Sequence, residues 1–89
     1  MWRLLYARRA DKQLSNPDPG VSRIIVAWLN KNVDGADDPR AHGKGLTADR
    51  SGQWRYRIGN YRVLCEIREH ELVVLAIDIG HRSDVYRRS

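Results

Sequence analysis

Residues 54–68 read Trp54-Arg55-Tyr56-Arg57-Ile58-Gly59-Asn60-Tyr61-Arg62-Val63-Leu64-Cys65-Glu66-Ile67-Arg68. The first five alternate strictly between apolar residues and arginine, the period of a strand with one buried face. Gly59-Asn60 then has the composition of a two-residue hairpin loop. Folding the chain back there sets the register. Ile58 faces Tyr61, Arg57 faces Arg62, Tyr56 faces Val63, Arg55 faces Leu64 and Trp54 faces Cys65. Trp54, Tyr56, Ile58, Tyr61, Val63, Cys65 and Ile67 share one face, which is expected to pack on a helix. Arg55, Arg57 and Arg62 share the other with Leu64 and Glu66.

The arginine face is costly by itself, because like charges directly opposite one another destabilise a sheet. Something negative lying on it would remove that cost. Arginine's planar fork matches phosphate oxygens two at a time, so a phosphate chain is the natural counterpart. A solvated basic face partly compensated by Glu66 is the plainer alternative.

Outward from the hairpin, residues 72–79 form a nearly continuous apolar run, expected as a central strand from Leu72 to Ile79 buried on both faces. A charged segment, Gly80 to Arg88, follows. Upstream, residues 34–52 hold a polar connection containing Gly35, Pro39, Gly43, Gly45 and Gly52, with room for a strand starting near Gly45-Leu46. Asp34, Asp37 and Asp38 cluster in it. Nothing nearby completes a metal site, so a solvated turn is expected and no metal or cofactor is assigned.

Earlier still, Asp18 can cap a helix whose first turn holds Pro19. Val21, Ile24, Ile25, Trp28 and Leu29 make its apolar stripe, and Gly35 is a plausible stop. Trp2 to Tyr6 suits a first strand. Ala7, Ala10 and Leu14 mark one side of a short helix ended by Asn16-Pro17. The expected fold is α+β, one domain over residues 1–89. An N-terminal strand and two helices pack on a mainly antiparallel four-stranded twisted sheet.

The 89 residues carry 16 Lys and Arg, thirteen of them Arg, against 11 Asp and Glu, for a net charge of +5. Such a domain suits a polyanion or an acidic protein. The single cysteine, Cys65, excludes an internal disulfide and a cysteine-built zinc site, and fits a reducing cytoplasm. No run approaches the roughly 20 apolar residues of a membrane span. Met1 to Arg9 lacks the apolar core of a signal peptide.

The run Gly80-His81-Arg82-Ser83-Asp84-Val85-Tyr86-Arg87 adds groups that phosphodiester cleavage needs. RNA can be cut without metal when its own 2′-hydroxyl attacks the neighbouring phosphorus. A protein must then help remove that proton, stabilise charge on the phosphorane and protonate the leaving 5′-oxygen. Arginines serve the second task. A histidine, with an ordinary pKa near 6.5, can serve the first or third. Tyr86 would need neighbouring guanidinium groups to favour its phenolate, or it could stack on a base.

At this point the sequence resembles a known family. WRYRIGNYRVLCEI, LVVLAIDIG and HRSDVYRR look like the C-terminal half of RelE/ParE-superfamily toxins. The strand and two helices before them, and Gly43-Lys44-Gly45-Leu46, agree in layout. The resemblance covers nearly the whole chain and is strongest from Trp54 to Arg87. It implies a RelE-like, microbial-RNase-like fold and a toxin of a type II toxin–antitoxin system. For a RelE-type member it further implies ribosome-dependent cleavage of mRNA in the A site.

By position, Arg55 and Arg57 match the family's basic pair on the first hairpin strand, often lysine there. Arg62 matches the arginine that stabilises the transition state. Tyr86 matches the C-terminal tyrosine that stacks on or activates the nucleotide. Arg82, or functionally His81, matches a catalytic residue before it. Lys44 and Arg87 are expected as RNA-backbone contacts.

The implied partners are an acidic antitoxin in a hetero-oligomeric complex, mRNA and the 30S ribosomal A site. Three other readings stay open: a ParE-type DNA gyrase poison, a non-catalytic RNA-binding module, and a degenerate toxin that only pairs with an antitoxin.

Overall fold

The computed structural model describes residues 1–15, 19–45 and 53–81. Its strands are β1 (Arg3–Tyr6), β2 (Lys44–Gly45), β3 (Gln53–Ile58), β4 (Tyr61–Arg68) and β5 (Val73–His81). Its helices are α1 (Arg8–Leu14) and α2 (Pro19–Asn32). They build one sheet in the order β1-β5-β4-β3-β2. β1 runs parallel to β5, and the other neighbours are antiparallel.

The expected α+β layout holds, with five strands in place of four. Lys44 and Gly45 pair with Arg55 and Trp54 and so add a short edge strand to the hairpin. The expected helix signals at Asn16, Pro17 and Asp18, together with Leu46 and Gly52, lie outside the described residues.

The hairpin register is the one its alternation requires, from Ile58↔Tyr61 and Arg57↔Arg62 through to Trp54↔Cys65. Gly59 turns it at φ +59°, a conformation that glycine adopts without a Cβ clash. Tyr56, Val63 and Cys65 are fully buried on the helix side, with Ile58 and Ile67 beside them. α2 covers them with Ile25 and Leu29, and Val33 follows one turn later. Ile24 departs from the expected core stripe and is 64% exposed. The buried ridge runs at four-residue steps through 25, 29 and 33, which turns position 24 about 100° towards solvent.

β5 also differs from expectation at both ends. Leu72 sits at φ 53°, closes the 3-10 turn Glu69–Glu71 and is left exposed. The strand then continues past Ile79 to His81. Its pairing with β4 jumps from Leu64↔Asp78 to Cys65↔Ala76, which leaves Ile77 as a bulge residue. Without the bulge, Asp78 would point into the core and Ile79 away from it. With it, Val74, Ala76 and Ile79 join the helix-side core, while Asp78 and Gly80 fall on the arginine face.

Two of the three acidic residues in the connection have structural work. Asp34 Oδ1 accepts the Leu4 amide at 3.0 Å, so the turn after α2 covers part of the β1 edge. Asp38 accepts the Arg40 amide at 2.9 Å and caps the 3-10 turn Pro39–Ala41. Among the described residues no group of three or more His, Cys, Asp and Glu side chains is arranged to hold a metal ion. No helix among them is long and apolar enough to cross a membrane.

Candidate active site

The arginine face becomes a site through its neighbour strands. Arg57 and Arg62 are directly opposed on β3 and β4. On the outer side, Lys44 of β2 stands opposite Arg55. On the inner side, Gly80 of β5 stands opposite Arg62 and puts no side chain beside it. Lys44, Arg55, Arg57, Arg62 and Gly43 line a cavity of about 270 Å³. Four cationic side chains thus surround one recess, and none of its lining residues is acidic.

Glu66, the expected partial compensation, lies farther along the hairpin opposite Gln53 and pairs with Arg68 at 2.7 Å. That carboxylate raises the Arg68 pKa by hydrogen bonding and Coulomb attraction.

Aromatic residues of the hairpin hold Lys44 in place. The Trp54 indole donates to the His42 carbonyl at 2.6 Å, and the Tyr56 hydroxyl donates to the Pro39 carbonyl at 2.6 Å. Trp28 of α2 meets both the His42 ring, edge-on at 5.5 Å, and the Tyr56 ring at 5.6 Å. The Arg40 guanidinium lies 5.9 Å from the Trp54 ring centre and pairs with Glu69. Burial pushes the Tyr56 hydroxyl far above the usual phenol range, so it remains a neutral donor. Residues 39–42 are therefore stapled to the helix-side face of the sheet, and the chain reaches β2 with little freedom.

Gly43 makes the approach possible. Its φ is +83°, and a Cβ there would collide with the Arg55 carbonyl oxygen and lie 2.6 Å from the Trp54 indole nitrogen. The sequence marked Gly43 as part of a polar connection and of the segment Gly43-Lys44-Gly45-Leu46 that agrees with the family layout, but with no role of its own.

The structure thus brings together Lys44, Arg55, Arg57 and Arg62. His81 ends β5, paired in register with Tyr61. Arg82, Tyr86 and Arg87 lie outside the described residues.

Two further residues were missed by the sequence reading. Asp78 is only 8% exposed on this face. Gln13 of α1 donates to Asp78 Oδ1 at 2.8 Å and accepts the Ile79 amide at 2.7 Å. The available signal was Asp78 itself, a lone carboxylate in an otherwise apolar run.

Two helices against a mixed five-stranded sheet, with a cationic recess on the arginine face, define the class of RelE-like toxin folds. The toxin–antitoxin complex RelBE2 of Mycobacterium tuberculosis has a chain that superposes with a TM-score of 0.79 at 22% identity. That match covers 91% of this chain and 98% of that one. The isolated Escherichia coli RelE toxin superposes with a TM-score of 0.70 at 18% identity, over 99% and 94% of the two chains.

The sequence relationship is narrower. The model of the family described as "ParE toxin of type II toxin-antitoxin system, parDE" matches residues 4–86. Toxin RelG of Mycobacterium tuberculosis (strain ATCC 25618 / H37Rv) is 34% identical over 83 residues, 93% of each chain. The chain belongs to this ParE toxin family of type II toxin–antitoxin systems, within the RelE/ParE superfamily.

Proposed function

We propose that this toxin is a metal-independent endoribonuclease that cleaves mRNA in the ribosomal A site in the cytoplasm. The observation that carries the reading is the ring of Lys44, Arg55, Arg57 and Arg62 around one recess with no acidic lining residue. A phosphodiester placed there meets guanidinium forks on two adjacent strands. In the cleavage step the 2′-oxygen bonds to phosphorus as its proton is removed. The bond from phosphorus to the 5′-oxygen then breaks, and the leaving oxygen takes up a proton. The products are a 2′,3′-cyclic phosphate and a free 5′-hydroxyl.

Arg62, beside the side-chain-free Gly80, stabilises the charge on the phosphorane. Arg57 and Arg55 hold the flanking phosphates, and Lys44 and Arg87 contact the backbone. His81, Arg82 and Tyr86, at and beyond the end of the strand next to Arg62, supply the proton-transfer and stacking groups. An acidic antitoxin covers the basic face and holds the toxin inactive in a hetero-oligomeric complex. Chains of this fold have been solved in toxin–antitoxin complexes, which supports this partner.

The deciding experiment is primer extension on a defined mRNA in a purified translation system, with and without ribosomes, comparing the wild type with Arg62→Ala. Cuts that need ribosomes and vanish in the variant are expected. The family description favours one second reading, a ParE-type gyrase poison. Inhibition of DNA supercoiling by a folded toxin that cuts no RNA would establish that reading and overturn the first.

A further inference from the structure

β1 supports only half of β5. Their pairing begins at Arg3↔Val73 and ends at Tyr6↔Ala76. Beyond the bulge at Ile77, residues 78–81 pair with β4 on one side and, among the described residues, have no strand on the other. This is the stretch that places Gly80 beside Arg62. An edge of this kind frays or takes up a foreign strand unless something covers it.

What covers it is the side chain of Gln13. Its amide oxygen takes the Ile79 N–H at 2.7 Å, standing in for the carbonyl of a missing strand. Its amide nitrogen donates to Asp78 Oδ1 at 2.8 Å, so both ends of one planar group grip consecutive residues. Arg9, one turn before Gln13 on α1, lies 3.5 Å from the same carboxylate oxygen. A nearly buried carboxylate and a bridging amide are an expensive way to fill space, since an apolar pair of similar volume is often at least as stable. The gain must lie in geometry. An amide that accepts from one backbone position and donates to the side chain before it fixes both the position and the twist of the strand end.

We propose that Gln13, acting through Asp78 and Ile79, is a positioning residue that locks the end of β5 beside Arg62 and so fixes the backbone against which that recess-lining arginine is held. Its effect on turnover rests on the ribonuclease reading; its effect on the strand end does not.

The test is a polarity swap. Gln13→Glu keeps an acceptor for the Ile79 amide but sets a carboxylate against Asp78. The double variant Gln13→Glu/Asp78→Asn exchanges the two groups. The amide now at position 78 donates to the carboxylate now at position 13, which stands one turn from Arg9. The net charge of the protein is unchanged. Hydrogen exchange reads the Ile79 and His81 amides directly. Cleavage on ribosomes reads kcat and KM separately.

In Gln13→Glu and in Gln13→Leu, Ile79 exchange is expected to quicken at least tenfold relative to the core amides of Val63 and Val74. kcat should fall by about tenfold or more, with KM within about twofold, because misplacement harms the transition state more than ground-state binding. The double variant should recover most of both losses.

Failure of the swap to restore Ile79 protection would overturn the clamp. Restored protection with kcat still depressed would overturn its role in positioning the site. If the wild type cuts no RNA, the ribonuclease reading falls, and the exchange measurements still decide whether Gln13 locks the strand.

Discussion

Arg57→Gln should make this toxin more stable while making it a poorer binder of RNA. Arg57 is exposed, and its side chain makes a long hydrogen bond of 3.5 Å from Nε to the Gly59 carbonyl. Little attraction is therefore lost with the guanidinium. What is relieved is repulsion from Lys44, Arg55 and Arg62 across the shared recess. Arg62 stands opposite Arg57, Lys44 diagonal to it and Arg55 two residues along the same strand. Such positions lie roughly 5–8 Å apart, and long cationic side chains splay towards the upper end, about 8 Å. At that spacing each pair costs about 0.5 kcal/mol in water, and the three together about 1.5 kcal/mol before screening.

At about 20 mM salt the screening length is roughly 20 Å, and about 1 kcal/mol survives; at about 1 M it is about 3 Å, and about 0.1 kcal/mol survives. Urea denaturation of wild type and variant at both salt concentrations measures this directly. The expected gain is about 1 kcal/mol at low salt and close to nothing at high salt. A variant less stable than wild type at low salt, or a gain that persists at high salt, would refute the claim that this face is held in electrostatic tension. In parallel, the salt dependence of RNA binding should weaken by about one unit of slope, because one phosphate contact is gone.

Three further outcomes are expected. Gly43→Ala forces a side chain into a left-handed backbone position against the Arg55 carbonyl. It should cost about 1–3 kcal/mol in thermal or urea unfolding and lower RNA affinity by displacing Lys44. Tyr56→Phe removes the 2.6 Å bond to the Pro39 carbonyl and leaves that acceptor inside without a donor. A loss of about 1–3 kcal/mol in urea unfolding is expected. Burial holds the Cys65 thiol far above its ordinary value, so in the fold it stays protonated where the unfolded chain ionises. Its stabilising effect is therefore complete below about pH 9 and lost as pH rises beyond it. Cys65→Ala should flatten the alkaline fall in stability, by up to about 1.4 kcal/mol per pH unit, in unfolding curves between about pH 8 and 11.

Much of this molecule follows from local pattern. Strict alternation from Trp54 to Ile58, together with a glycine able to adopt positive φ at position 59, leaves one hairpin register that buries Tyr56, Val63 and Cys65. That register alone puts Arg57 against Arg62. The apolar run after it, the stripe of α2 and the short helix before it are equally local, because side-chain period and burial are coupled within a few residues.

Other features depend on how distant segments meet. Ile24 belongs to the stripe by spacing, but the angle at which α2 meets the sheet leaves it in water. The bulge at Ile77 has no local signature, and it alone decides that Asp78 and Gly80, and not Ile79, share a face with Arg62. Lys44 joins the recess only because Trp54 and Tyr56 bond to carbonyls 12 and 17 residues earlier in the chain. Gln13 reaches Asp78 across 65 positions of sequence. Which face each arginine takes is a matter of period, and the sequence by itself determines it. Only the assembled sheet decides which charges surround the same space, because that depends on edges, bulges and long-range hydrogen bonds that no short window contains.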